Sequence, residues 1–256
     1  MLKRISTAVL ILAVAAIAVG QPKPAVNQSE LQKLEAAYNQ AINEYYKPFE
    51  SAHSQEEMAK IKLDPKKDPN PVYLAKFREF AESAGTTQDA FQAWMMVKQL
   101  GENSGNAKAV DEASDVIMTK FIDSPWIGQF ASALPYSGWA LPQDQREKKI
   151  GGMLTKMEDL AKTPAVKATA MYARAQLISR EGQGDTVGAA KLYHEVLEKY
   201  PGTPEAKRAK GDIFETENLV VGKPAPEMLA TDQDGVKFKL SDYRGKVVVL
   251  DFWGFW

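Results

Sequence analysis

The chain has no cysteine among its 256 residues. That absence excludes a structural disulfide, a zinc–thiolate site and any redox or nucleophilic thiol supplied by these residues themselves. Histidine is scarce as well: His53 and His194 lie far apart and offer no metal-ligand spacing. No excess of charge of either sign is present, with Lys+Arg at 32, Asp+Glu at 33 and a formal net charge of −1 at pH 7. Neither a nucleic-acid nor an anionic-membrane footprint is therefore expected. Only one apolar run near the start has any length, residues 5–19, and its roughly 15 residues fall short of the ~20 that a spanning helix needs.

That run follows Met1-Leu2-Lys3-Arg4 and leads into Ala18-Val19-Gly20. A basic start, a short apolar core and small residues at the cleavage positions predict a secretory signal peptide over residues 1–20, with an uncleaved anchor as the rival reading. There is no lipobox cysteine, so a cleaved signal leaves no stable membrane anchor. Export would place the mature chain where disulfides can persist.

Apolar residues make up 45% of the chain, enough for one large or two ordinary domains. After a Pro-containing linker over residues 21–28, Ser29 and Gln32 have the capping-box spacing. The helix they open carries Leu31, Leu34, Tyr38, Ile42, Tyr45 and Phe49 as one apolar stripe. Three prolines make residues 64–71 a loop whose Asn70-Pro71 end starts the next helix, and Gly85 closes that helix. Thr86 or Thr87 begins another, with Phe91, Trp94, Met95 and Leu100 buried and Gly101 as its stop. Residues 107–121 are amphipathic through Val110, Ala113, Ile117 and Phe121, and Ser124-Pro125 reads as a cap and first helical residue.

Residues 134–139 are the least regular part of the helical region; Tyr136 and Trp139 there read as loop anchors rather than a binding surface. Helices are expected over residues 143–160, 165–180, 187–200 and 203–217. Small residues at Ala170, Ala173, Ala189 and Ala190 imply close packing of the last three. Ala189, Tyr193, Val196 and Pro201 resemble the second half of a tetratricopeptide repeat, but at most one or two repeats are visible, so residues 29–218 read as a helical domain with a repeat-like end. His194 is expected to be exposed or locally hydrogen-bonded rather than catalytic.

The pattern changes after residue 218. Gly222-Lys223-Pro224-Ala225-Pro226 precedes a hairpin signal, with Asp234-Gly235 between Leu229-Ala230-Thr231 and residues 236–240. Ser241 caps a short turn that Gly245 ends, and Lys-Val-Val-Val-Leu-Asp-Phe-Trp over residues 246–253 suits a strand buried on both faces. In this order the elements resemble the start of a thioredoxin-like domain, of the TlpA/ResA-type branch of exported or membrane-anchored thiol-disulfide oxidoreductases. The peroxiredoxin branch shares several of these features, but Phe-Trp-Gly-Phe-Trp over residues 252–256 favours the reductases.

The resemblance implies a mainly α fold class: an exported helical, partly TPR-like domain followed over residues 219–256 by the incomplete start of a thioredoxin-like α/β domain. In that family Cys-x-x-Cys follows the strand at once, and Trp256 matches the residue just before the nucleophilic cysteine, where it shapes the surface that meets the substrate. Asp251 matches the acid held beneath the motif, a proton relay for the resolving thiol, although some relatives carry Asn there. Trp253 would pack under the motif.

The implied function is the N-terminal part of an exported thiol-disulfide oxidoreductase, redox-inactive as it stands because the Cys-x-x-Cys is absent. The alternatives are a helical, repeat-like protein-binding scaffold with a vestigial redoxin tail, or a fragment of an AhpC/TSA-type peroxiredoxin. No cofactor or metal is expected. The partners implied are disulfide-containing exported proteins, together with a protein partner of the helical domain.

Overall fold

The computed structural model describes residues 29–138, 141–179, 185–251 and 254. The expected signal peptide and linker, Trp139, residues 180–184, Trp253 and Trp256 lie outside the described residues.

The fold is mainly α. Helix α1, Glu30–Tyr46, opens with the expected capping box: Ser29 Oγ accepts from the Gln32 amide and Gln32 Oε1 accepts from the Ser29 amide. Its stripe buries Leu31 and Tyr38, with Leu34 and Ile42 packed alongside. A 3₁₀ turn at Lys47–Ser51 and the short α2, Gln55–Lys60, lead to α3, Asn70–Ser83. Tyr38 donates to Asn70 Oδ1 at 3.0 Å and Tyr73 to the Ala37 carbonyl at 3.0 Å, tying α1 to α3. The buried Tyr38 tip is thereby satisfied while its ring joins the core, and the partly buried Tyr73 packs against that core.

Thr87 caps α4, Gln88–Asn103. Gly101, expected to stop this helix, lies inside it and is buried. The helix ends two residues later, and Gly105 (φ +67°) makes the turn. Gly101 has a packing role instead, because a Cβ there would lie 3.0 Å from Val110 Cγ2 and 3.1 Å from the Val110 amide nitrogen of α5, Ala107–Lys120.

Helix α6, Ile127–Ala133, begins after Trp126 rather than at Ser124-Pro125; the chain makes a turn first, with the Ser124 amide donating to the Phe121 carbonyl at 2.9 Å. A 3₁₀ turn at Leu134–Tyr136 leads toward α7, Gln143–Leu160. Tyr136 is half exposed there.

Three helices complete the array: α8, Pro164–Ser179; α9, Thr186–Lys199; and α10, Pro204–Asn218. Successive helices pack as neighbours from α3 to α5 and from α7 to α10. One core holds Phe77, Phe91, Phe121, Phe130, Leu154 and their surroundings, and a second holds Met171, Tyr172, Tyr193, Val196 and Ile213. Helix α8 joins them. Its Ala170, Ala173 and Leu177 face the first core and its Met171, Tyr172 and Ala175 the second, so it is buried on nearly all sides, as expected of a helix without a polar face.

The C-terminal part holds β1, Leu229–Thr231, and β2, Lys237–Lys239, an antiparallel pair with Ala230 opposite Phe238. After Ile213, no described residue is buried.

Candidate functional site

The resemblance places the chemistry in the C-terminal part, so its geometry is built first. Asp232 organises the hairpin loop: its Oδ1 accepts from the Asp234 amide at 3.0 Å and the Val236 amide at 2.8 Å, and Gly235 takes φ +82°. Such an Asx turn with a glycine in the left-handed region is the chemistry that Asp-Gly signals. The 3₁₀ turn at Leu240–Tyr243 follows. Ser241, expected to cap this turn, lies inside it and donates its amide to Glu227 Oε1 at 2.9 Å, while Asp242 Oδ2 accepts from the Lys239 amide at 3.0 Å. Hydrogen bonds from Ser241 hold the Glu227 carboxyl below the usual carboxylate range.

Gly245 (φ +82°) ends the turn, and the chain runs on through Val247, Val248, Val249 and Leu250 without a ladder partner among the described residues. Val247 is 97% exposed and Val249 86%, so neither face of the run is covered. Asp251 is exposed at the end of this run. Trp256 lies outside the described residues. Of the two sequence-predicted site residues only Asp251 is described, and the layers that would bury it are not among the described residues.

The helical part holds two polar clusters that sequence reasoning missed. Lys98 is 4% exposed, and its Nζ donates to Glu102 Oε1 at 2.9 Å and Ser137 Oγ at 2.6 Å; Glu102 Oε1 also accepts from the Gly138 amide at 3.3 Å. A paired ammonium of this kind pins the connector between α6 and α7 to α4. In the second cluster the Tyr172 hydroxyl donates to Asp212 Oδ2 at 2.8 Å, with the Arg208 guanidinium 6.0 Å from the ring centre. The only legible signal for either was spacing: Lys98 and Glu102 are four residues apart on one helix. Their partners, about forty residues distant in the chain, were not. His194 is exposed and bonded to Glu217 at 2.8 Å, as expected. Among the described residues no cluster of His, Asp and Glu could hold a metal ion, and no helix is long and apolar enough to cross a membrane.

With the hairpin, the turn and the apolar run in place, comparison with known proteins gives the class. Residues 221–256 match the AhpC/TSA family, so the C-terminal segment is redoxin-like. More particularly, it is similar to thiol-disulfide oxidoreductases ResA. The ResA of Bacillus anthracis is 43% identical over 47 residues, covering 18% of this chain and 27% of the relative. The ResA of Geobacillus kaustophilus is 53% identical over 38 residues, covering 15% and 22% respectively. The chain thus spans about a quarter of the length of these curated relatives. No solved structure matches it.

Proposed function

We propose that the chain is the N-terminal part of an exported, TlpA-type thiol-disulfide oxidoreductase, with the helical domain over residues 29–218 as an accessory to a redoxin that starts near residue 219. The observation that carries this reading is the AhpC/TSA match over residues 221–256, which hold the hairpin and the Val247–Leu250 run, supported by the 43% identity to ResA over 47 residues. Export rests on the sequence of residues 1–20. In the complete domain a first cysteine at a helix N-terminus would be favoured as thiolate and would attack a disulfide of an exported partner protein. The partner's second sulfur would leave as a thiol, and a second cysteine would resolve the mixed disulfide, reducing the partner and oxidising the pair. Asp251 would then serve as proton relay beneath the motif, and Trp256 would face the substrate.

The scaffold reading keeps a place because residues 29–213 close both apolar cores by themselves. Sequencing the locus across the codon for Trp256 separates the two. Cys-x-x-Cys in frame directly after it is the expected result, and a genuine stop codon overturns the oxidoreductase reading in favour of a redox-dead scaffold. The 256-residue chain itself, lacking any thiol, gives no insulin reduction above the dithiothreitol background.

A further inference from the structure

The last helix of the array presents an uncovered side whose chemistry is not that of a solvated face. On α10 the buried positions are Glu205, Ala206, Ala209 and Ile213, the last three in the core shared with α9. Lys207, Lys210, Gly211 and Phe214 follow the i, i+3, i+4, i+7 spacing of a second face. Phe214 is 48% exposed, and Gly211 has open space where a Cβ would stand, so a neighbouring backbone can come close beside the ring. At the N-terminal end of the same face lies a hollow of about 600 Å³, floored by Leu197, Pro201, Pro204 and Ala206 and rimmed by Lys207 and Lys210. Neither lysine forms an ion pair among the described residues, whereas Lys98, Lys149, Lys162, Arg174 and Lys199 each pair with a carboxylate. Of the acids on α10, Asp212 holds Tyr172, Glu217 holds His194 and Glu205 is turned into the buried side at 8% exposure, which leaves Glu215 at the far end of this face.

We propose that this face of α10 is a docking site for an acidic amphipathic segment of a partner protein, whose bulky apolar side chains fill the hollow and cover Phe214 while its carboxylates meet Lys207 and Lys210. Charge complementarity selects the partner: two unpaired cations beside an apolar hollow favour carboxylates next to leucine- or phenylalanine-sized side chains and disfavour a basic segment. The site involves no thiol. A negative result here leaves the redoxin reading untouched, and a stop codon after Trp256 leaves this site in place.

The test uses the full chain and two fluorescein-labelled peptides, one with leucine and glutamate at helical spacing and one with lysine replacing glutamate, followed by fluorescence anisotropy. Saturable binding of the acidic peptide, weaker at high salt and absent for the basic one, is expected. The double variant Lys207→Glu/Lys210→Glu should weaken it by about tenfold or more, and Phe214→Ser should weaken it too. All these positions are exposed, so circular dichroism should show the variants folded. Absence of saturable binding, equal binding of the basic peptide, or undiminished binding to a folded double variant would each overturn the proposal. Concentration-dependent dimerisation abolished by Phe214→Ser would also overturn it, by assigning the face to a second copy of this chain.

Discussion

Tyr193 shows what burial does to a single titratable group in the second core. It is 3% exposed, and burial, opposed by a hydrogen bond with Ser179 and reinforced by the nearby Asp212 and Glu215 carboxylates, pushes its hydroxyl from 10.0 up to about 12. Tyr172 beside it is raised by burial and by its hydrogen bond to Asp212, with ring centres 5.4 Å apart. A phenol with a raised value binds its proton more tightly folded than unfolded. Its stabilising contribution is therefore complete below the unfolded value and is lost as pH climbs through the folded one. Stability should fall most steeply between pH 10 and about 12. Tyr193→Phe, which keeps the ring, should flatten that fall in urea titrations followed by circular dichroism. An unchanged alkaline slope in the variant would contradict the assignment. That Tyr193 is core was legible from its spacing with Ala189 and Val196. Its electrostatic surroundings come from residues on other elements, Ser179 on α8 and Asp212 and Glu215 on α10, and were not.

At the scale of the element, apolar periodicity and cap chemistry were enough to locate most of the helices, though not the short α2, because each helix stripe and each Ser, Thr or Asp cap is a local signal. Thr87, Thr203 and Asp185 all accept from the amide three residues on, and each stands at the start of a helix. Local signals failed where a residue answers to another element. Gly101 looks like a helix stop, yet it lies where α4 and α5 cross and no side chain fits. Substitution by alanine at an open helical glycine gains about 1 kcal/mol in propensity, but crowding a packed contact costs typically 1–3 kcal/mol. With the Val110 backbone nitrogen 3.1 Å from the new Cβ, crowding should win, so Gly101→Ala is expected to lower stability. Gly152 of α7 has nothing within 4 Å of its Cβ position, and Gly152→Ala should raise stability by roughly 0.5–1 kcal/mol. Chemical denaturation of the pair decides the matter: equal gains in both would mean that the α4–α5 contact yields freely.

At the scale of the whole molecule, the fold class was legible because two kinds of pattern meet near residue 218, helical spacing before it and strand and turn signals after it. The candidate site was legible only as motif. Asp251 can be matched by sequence, but its burial depends on layers that the described residues do not supply. The physical consequence is unequal stability along the chain. Residues 29–213 provide every buried side chain among the described residues, while the described part after Leu219 consists of a two-stranded hairpin, a 3₁₀ turn and an exposed valine run. An isolated hairpin of this size is marginal in water, and a polypeptide with few buried contacts opens at little cost. Limited proteolysis should therefore cut first after residue 218 and leave a helical product whose melting temperature matches that of the intact chain to within about 2 °C. If the locus encodes the remainder of the redoxin, a longer chain carrying it should protect the same bonds, since Val247–Leu250 would gain strand neighbours on both sides. Protection of these bonds in the 256-residue chain, or a melting temperature several degrees lower after trimming, would show instead that the C-terminal segment already packs on the helical domain.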